Sequence, residues 1–503
     1  MKIKPWTIER YLSRHAETRA LDVAQSIQMA VQEPEGVLYK SALIVPVFDE
    51  EPQCLERLLA RVQPKESGRR LLCVVANCPL NATPEQQARH CDWVTSVIQG
   101  SPIQLKLRPD GAWLLRGAWP KGDDAEFVLD VLLVDATATD FYWKEKDGVG
   151  RARKLAADIA LSLFSLGLIQ SPMLGSSDAD AQLPPEYFDV LETESDAAGL
   201  LFPFEHQPCL DARLDEGMAQ LEASFRYYVL GLHLAGSPYA YHSLGSSLAV
   251  SLPHYAAVRG FPQRQAGEDF YLLSKLAQLH VLQRVHCAAV RLLTRTSHRV
   301  PFGTGPRLCL WDSQSAEVVP QLLTYNPQVF CALRFVLARL TRWASTGEMD
   351  QEEIRQHVEL GVHGALFAPT APEGLTALLL EQARAIFVPI QPSLSQCPTA
   401  RHRVRRVHEH FDALSTLQFI RRLSETHFPE MPSDEVLRVL GWVQEGALDA
   451  RPCDVPSRIG LQRLQELERL LPDQAGLGAD LGQLKVELPW DCERLGSLKE
   501  RAG

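Results

Sequence analysis

Ala42-Leu43-Ile44-Val45-Pro46-Val47-Phe48 runs directly into Asp49-Glu50-Glu51-Pro52, and this stretch decides the fold class. A short, uncharged apolar run that ends in acids is the pattern of a strand buried on both faces, as in parallel sheets. Behind it, Leu55, Leu58, Leu59 and Val62 recur at helical spacing. Leu71 to Ala76 is a second apolar run, closing on Asn77, and Phe127 to Val134 is a third, closing on Asp135. Strand, helix and strand, with polar residues at the strand ends, predict an α/β sheet whose ligand site lies at its carboxyl edge.

The flanks differ in character. Residues 1–38 carry Trp6, Ile8 and Leu12, then Leu21, Ala24 and Ile27, at helix-like spacing, until Pro34 and Gly36 break the pattern. From about residue 310 the chain is leucine-rich and helical. Asn326-Pro327 starts one helix, with Phe330, Leu333, Leu337 and Leu340 on its apolar face, and Ser457 starts another. The expected division is an N-terminal helical extension over 1–40, an α/β domain over 41–306 and an α-helical C-terminal domain over 307–503. The 503 residues are 46% hydrophobic and 22% charged, ordinary globular values. A net charge of −11 argues against a general affinity for nucleic acid. Eleven cysteines without a C-x-x-C favour reduced thiols over a disulfide frame or zinc site. Met1 to Arg10 lacks the apolar core of a secretory signal, and no uncharged apolar run approaches the roughly 18–20 residues of a membrane span. The expectation is a cytoplasmic protein without a transmembrane segment.

Four stretches carry chemistry. Met173-Leu174-Gly175-Ser176-Ser177-Asp178-Ala179-Asp180 leads an apolar run into two aspartates. On an extended segment residues i and i+2 share a side, so Asp178 and Asp180 suit one hard cation such as Mg²⁺; taken alone, most such pairs are solvated turns. Lys146-Asp147-Gly148-Val149-Gly150-Arg151-Ala152-Arg153-Lys154 opens a helix with glycines and cations, either an anion-binding start or a solvated basic one. Gly267-Glu268-Asp269 places acids in a first helical turn, as dipole compensation or as a general base. Arg295-Thr296-Ser297-His298-Arg299-Val300-Pro301-Phe302-Gly303 is a basic loop suited to closing over phosphates, though its histidine also suits a structural place. A further cluster, Arg401, Arg403, Arg405 and Arg406, is a solvated helix face or a contact for a phosphorylated acceptor, a partner or a membrane surface.

Taken in order, Ile44 to Glu50, Lys146 to Arg153, Asp178-Ala179-Asp180, and Gly260-Phe261 leading to Gly267-Glu268-Asp269 resemble the family 2 glycosyltransferases with a GT-A fold. The resemblance covers roughly residues 41–306. It implies a Rossmann-like sheet that binds a nucleotide-diphosphate sugar, with Pro46, Phe48, Asp49, Glu50 and Asn77 toward nucleobase and ribose. Lys146, Gly148, Arg151, Arg153 and Arg299 then approach the phosphates. Asp178 and Asp180 hold Mg²⁺ or Mn²⁺ on the diphosphate, and His298 is a further metal or phosphate ligand. Asp269 is the base that deprotonates an acceptor hydroxyl for in-line, inverting attack, and Glu268 orients it. The leaving diphosphate gains charge in the transition state, which a divalent cation stabilises. This sequence departs from the family where the second strand ends in Ala76-Asn77 rather than an acidic pair, and where Glu85 to Lys121 is longer and more irregular. The helical tail matches no family motif, and the acceptor (glycan, lipid, metabolite or protein) is open. Two rivals stand beside this reading. A nucleotidyltransferase needs a glycine-rich loop after the first strand, where this chain has Asp49-Glu50-Glu51-Pro52. A degenerate, non-catalytic binding or scaffold protein need not keep both acidic motifs.

Overall fold

The computed structural model describes residues 3–4, 6–31, 38–79, 82–108, 111–119, 127–136, 147–264, 266–297, 303–313, 323–346, 374–394, 396–433, 435–436 and 456–477. They form two units, one of Met1–Pro208 with Ser243–Pro306, the other of Cys209–His242 with Arg307–Gly503. The first unit carries the strands β1 (Ala42–Val47), β2 (Gly68–Ala76), β3 (Ile103–Arg108), β4 (Ala112–Trp119), β5 (Phe127–Asp135) and β6 (Met173–Ser176). Shorter strands follow: β7 (Ala181–Gln182), β8 (Gly199–Leu201), β9 (Phe204–His206), β10 (Leu248–Ser251), β11 (Leu282–Arg284) and β12 (Val290–Leu292).

Nine of these make one mixed sheet in the order β3-β4-β5-β2-β1-β6-β10-β8-β11. β1 pairs in parallel with β2 and with β6, and β2 with β5. β10 runs antiparallel to both β6 and β8. β7, β12 and β9 form a small second sheet. The alternation inside the apolar runs explains the layers. Leu43, Val45, Val47, Leu72, Val74 and Ala76 point to one face, where they join Cys54, Leu58, Trp93, Tyr187, Phe188 and Leu191. Those residues come from α3 (Cys54–Leu59), α4 (Pro84–Gln99) and α6 (Tyr187–Glu192). Against the other face lies α5 (Val149–Ser165), packed on β1 and β2, with α2 (Ala20–Val31) behind it. Helices on both faces of a largely parallel centre explain why the runs are apolar throughout rather than alternating. The α/β class is therefore as expected from the sequence.

Three features sharpen the expected division. The N-terminal helix α1 (Trp6–Arg14) is tied into the first unit through a buried cluster. Tyr11 Oη donates to Asp158 Oδ1 at 2.7 Å and Tyr255 Oη does so at 2.9 Å, while Lys154 Nζ donates to Asp158 Oδ2 at 2.9 Å. Next, the described residues from 85 to 119 are largely regular. Thr83 and Gln86 form a reciprocal capping box with Pro84 in the first turn, which starts α4; β3 and β4 then extend the sheet antiparallel. Finally, residues 209–242 belong with the C-terminal unit, not with the α/β one.

In that second unit α7 (Ala212–Leu234) packs against α11 (Pro327–Thr346) and the helix Pro456–Arg469. Phe330, Leu333, Leu340, Phe419, Ile420 and Leu464 make its core. Gly231 is needed there, since a Cβ at that position would stand 2.5 Å from the Phe330 ring. Arg226 pairs with Glu222 and Glu468, and Glu468 also meets His242. Within the basic cluster, Arg405 and Arg406 pair with Glu409, and Arg403 Nε donates to the Ala344 carbonyl at 2.6 Å. Among the described residues no helix is long and apolar enough to cross a membrane.

Candidate functional site

The chain leaves β1 toward β2 and β5, then returns to the other side of β1 as β6. A sheet whose order reverses this way opens a crevice at the carboxyl ends of the two strands flanking the reversal. Phe48, Asp49 and Glu50 follow β1 at that edge; Ser177, Asp178, Ala179 and Asp180 follow β6. Ala179 is buried in the core, and the aspartate side chains on either side keep 39% and 26% exposure. The Asp178–Ala181 segment is a turn, closed by the Ala181 amide donating to the Asp178 carbonyl at 3.2 Å. The extended-chain argument for placing both carboxylates on one side therefore does not hold, and their setting comes from two arginines instead.

Arg153, on α5, bonds both Asp178 Oδ1 and Glu268 Oε1. It is 4% exposed. A Cβ at Gly245 would overlap its guanidinium, so any larger residue there has to displace the Arg153 head. Ser176 Oγ and Ser177 Oγ donate to the carbonyls of Gly245 and Ser246 at 2.9 and 3.2 Å, holding that backbone against β6. Burial alone would lower the Arg153 pKa, but Asp178, Glu268 and Asp269 together raise it, so it stays charged. Arg295, just past β12, makes the second clamp. Its Nε and Nη2 donate to Asp180 Oδ2 at 3.1 and 2.5 Å, and Nη2 reaches Glu50 Oε1 and Oε2 at 3.1 and 3.2 Å.

Gly267, in the left-handed region at φ 76°, caps α9 (Glu268–Leu279) and turns its first two acids toward Arg153. Glu268 is buried. Asp269 Oδ1 accepts from the Phe270 amide at 2.7 Å. Burial, followed by the neighbouring Glu268, pushes the Asp269 carboxyl up to about 7, against the opposing pull of Arg153. A carboxyl poised there can take or give a proton near neutral pH.

A scan against family models finds no match, and a search of curated proteins finds none either.

The remaining sequence-predicted residues divide. Asp49 sits at φ 50°, an uncommon conformation for a non-glycine, and accepts from Arg89 Nε and Nη2 at 2.8 and 3.0 Å and from Gln86 at 3.2 Å. Phe48 lies 6.4 Å from the His90 ring, and Asn77 is buried at the end of β2. Pro46 is buried within β1 opposite Val75, in the core rather than at the edge. Arg151 is held by Asp147 at 2.8 Å and Glu17 at 3.4 Å. Gly148 caps α5. Gly150 serves close packing, since a Cβ would stand 2.6 Å from the Arg264 carbonyl, and its amide already donates to that carbonyl at 3.2 Å. Lys146, His298 and Arg299 lie outside the described residues. Among the described residues no three His, Cys, Asp or Glu side chains stand together as metal ligands. Sequence reasoning placed Arg295 in a loop suited to closing over phosphates, not against Glu50 and Asp180, and it missed Gly245 and Arg89.

Proposed function

We propose that the first unit is a metal-dependent glycosyltransferase of the GT-A type, moving a sugar from a nucleotide-diphosphate sugar to an acceptor hydroxyl with inversion. The observation that carries the proposal is the gathering of Glu50, Asp178, Asp180, Glu268 and Asp269 around Arg153 and Arg295 at one reversal of sheet order. Asp178 and Asp180 offer partly exposed oxygen donors, which fit a hard cation that takes one or two carboxylates and completes its shell with phosphate oxygens and water. Bound there, Mg²⁺ or Mn²⁺ supplies charge stabilisation for the departing diphosphate.

The chain's own residues do the rest. Arg153 fixes Asp178 on one side and Glu268 on the other, so the metal-side and proton-side acids share one rigid reference. Asp269, beside Glu268, accepts the acceptor's proton. Asp49, set by Arg89 and Gln86, faces the nucleoside with Phe48 and Asn77.

Titrating the full chain with UDP- and GDP-sugars plus Mn²⁺ tests this, with slow donor hydrolysis as the expected outcome. Asp180→Ala should weaken metal-dependent nucleotide binding, whereas Asp269→Asn should leave it near normal. Absence of both hydrolysis and metal-dependent nucleotide binding would sink the proposal.

A further inference from the structure

We infer that Arg295 is a built-in counter-ion which a divalent cation has to displace, so that the site takes metal together with a diphosphate and resists metal alone. This rests on the transferase reading above. The two arginines of the site are not equivalent. Arg153 is 4% exposed and tied to the buried Glu268 as well as to Asp178. Arg295 is 32% exposed, and its partner Asp180 is 26% exposed, which puts this clamp on the rim of the crevice.

The contacts matter more than the exposure. Arg295 Nη2 bonds Asp180 Oδ2 at 2.5 Å and both oxygens of Glu50 at 3.1 and 3.2 Å, so one guanidinium joins the acids after β6 to those after β1. A cation that takes Asp180 Oδ2 competes for the same oxygen. Displacing Arg295 strips it of these acidic partners unless another anion arrives. Diphosphate oxygens are that anion, because a planar guanidinium pairs with phosphate as readily as with carboxylate. Bare metal thus pays the displacement without compensation. Its affinity is reduced by the fraction of molecules in which Arg295 has already left.

The test reads Mn²⁺ binding to the full chain by electron paramagnetic resonance at fixed ionic strength, with Mn²⁺ alone and with Mn²⁺ plus UDP or GDP. Arg295→Met should bind Mn²⁺ alone at least fivefold more tightly than the wild type. Arg295→Lys, a point charge without the fork, should fall between the two. Arg57→Met removes a cation that pairs with Glu51, the chain neighbour of Glu50, and should stay within twofold of wild type; an equal gain there means general charge and overturns displacement. Circular dichroism melts establish that each variant is folded. Should the wild type bind Mn²⁺ with nucleotide while Arg295→Met binds Mn²⁺ alone no more tightly, the counter-ion role fails and the transferase reading stands. Should Mn²⁺ bind no variant with or without nucleotide, both fail.

Discussion

At the scale of single residues, the acids of the crevice have different settings and so different duties. Asp269 is the one whose proton is poised near neutrality. Its ordinary value of 3.8 is raised to about 7 by burial and Glu268. On the proposed transferase reading it acts as the base and must be ionised, so turnover should climb with pH through about 7 and level off above, and a rate–pH profile checks this. Asp269→Asn should cut turnover by roughly 10²–10⁴-fold and remove that rise. The stability sign is opposite. A carboxyl with a raised folded value costs stability once the unfolded chain ionises, a loss that begins near pH 4 and is complete above about 7. Asp269→Asn should therefore melt higher than wild type at pH 8 and no differently at pH 3. Gly245→Ala tests the other fixed point. Its Cβ would push against the Arg153 guanidinium, and calorimetry should find nucleotide binding weakened about tenfold (about 1.4 kcal/mol). The Asp178 and Asp180 pairing was legible from the sequence as acids following an apolar run, but Gly245 lies 67 residues from the first and 65 from the second and makes its contact only after folding.

At the scale of elements, α5 is the part on which the first unit turns. It covers β1 and β2 with one side, presents Arg153 to the crevice, and uses Lys154 and Asp158 to hold α1 and α8 (Leu252–Ala257) through Tyr11 and Tyr255. Asp158 is fully buried and accepts from Tyr11, Tyr255, Lys154 and the Glu17 amide. Removing one side of a buried charge pair leaves the other uncompensated, which costs about 3–5 kcal/mol. Asp158→Ala should lose stability on that scale in urea denaturation at pH 7. A loss under 1 kcal/mol would mean that α1 is not anchored this way. The apolar spacing of α1 was visible in the sequence. Its attachment was not, because a Tyr–Asp bond across 147 positions leaves no local pattern.

At the scale of the whole molecule, the chain visits the second unit twice, and α7 is the early visit. A chain cut after Pro306 keeps α7 while losing Phe330, Leu333 and Leu464, which share its core. Such a truncation should aggregate or elute as a heterogeneous species in size-exclusion chromatography; a monodisperse, cooperatively unfolding product would contradict the division. Sequence by itself determined the α/β class, the main strands β1, β2 and β5, the helical second half and the acidic stretches at the strand ends, because hydrophobic period and turn residues are local properties. Tertiary structure alone decided that residues 209–242 join the later helices, that Arg151 pairs with Asp147 and Glu17, and that Arg153 and Arg295 bind the acids into two clamps. Those are choices of partner among many like charges and apolar faces, and only the packed chain brings the chosen pairs within bonding distance.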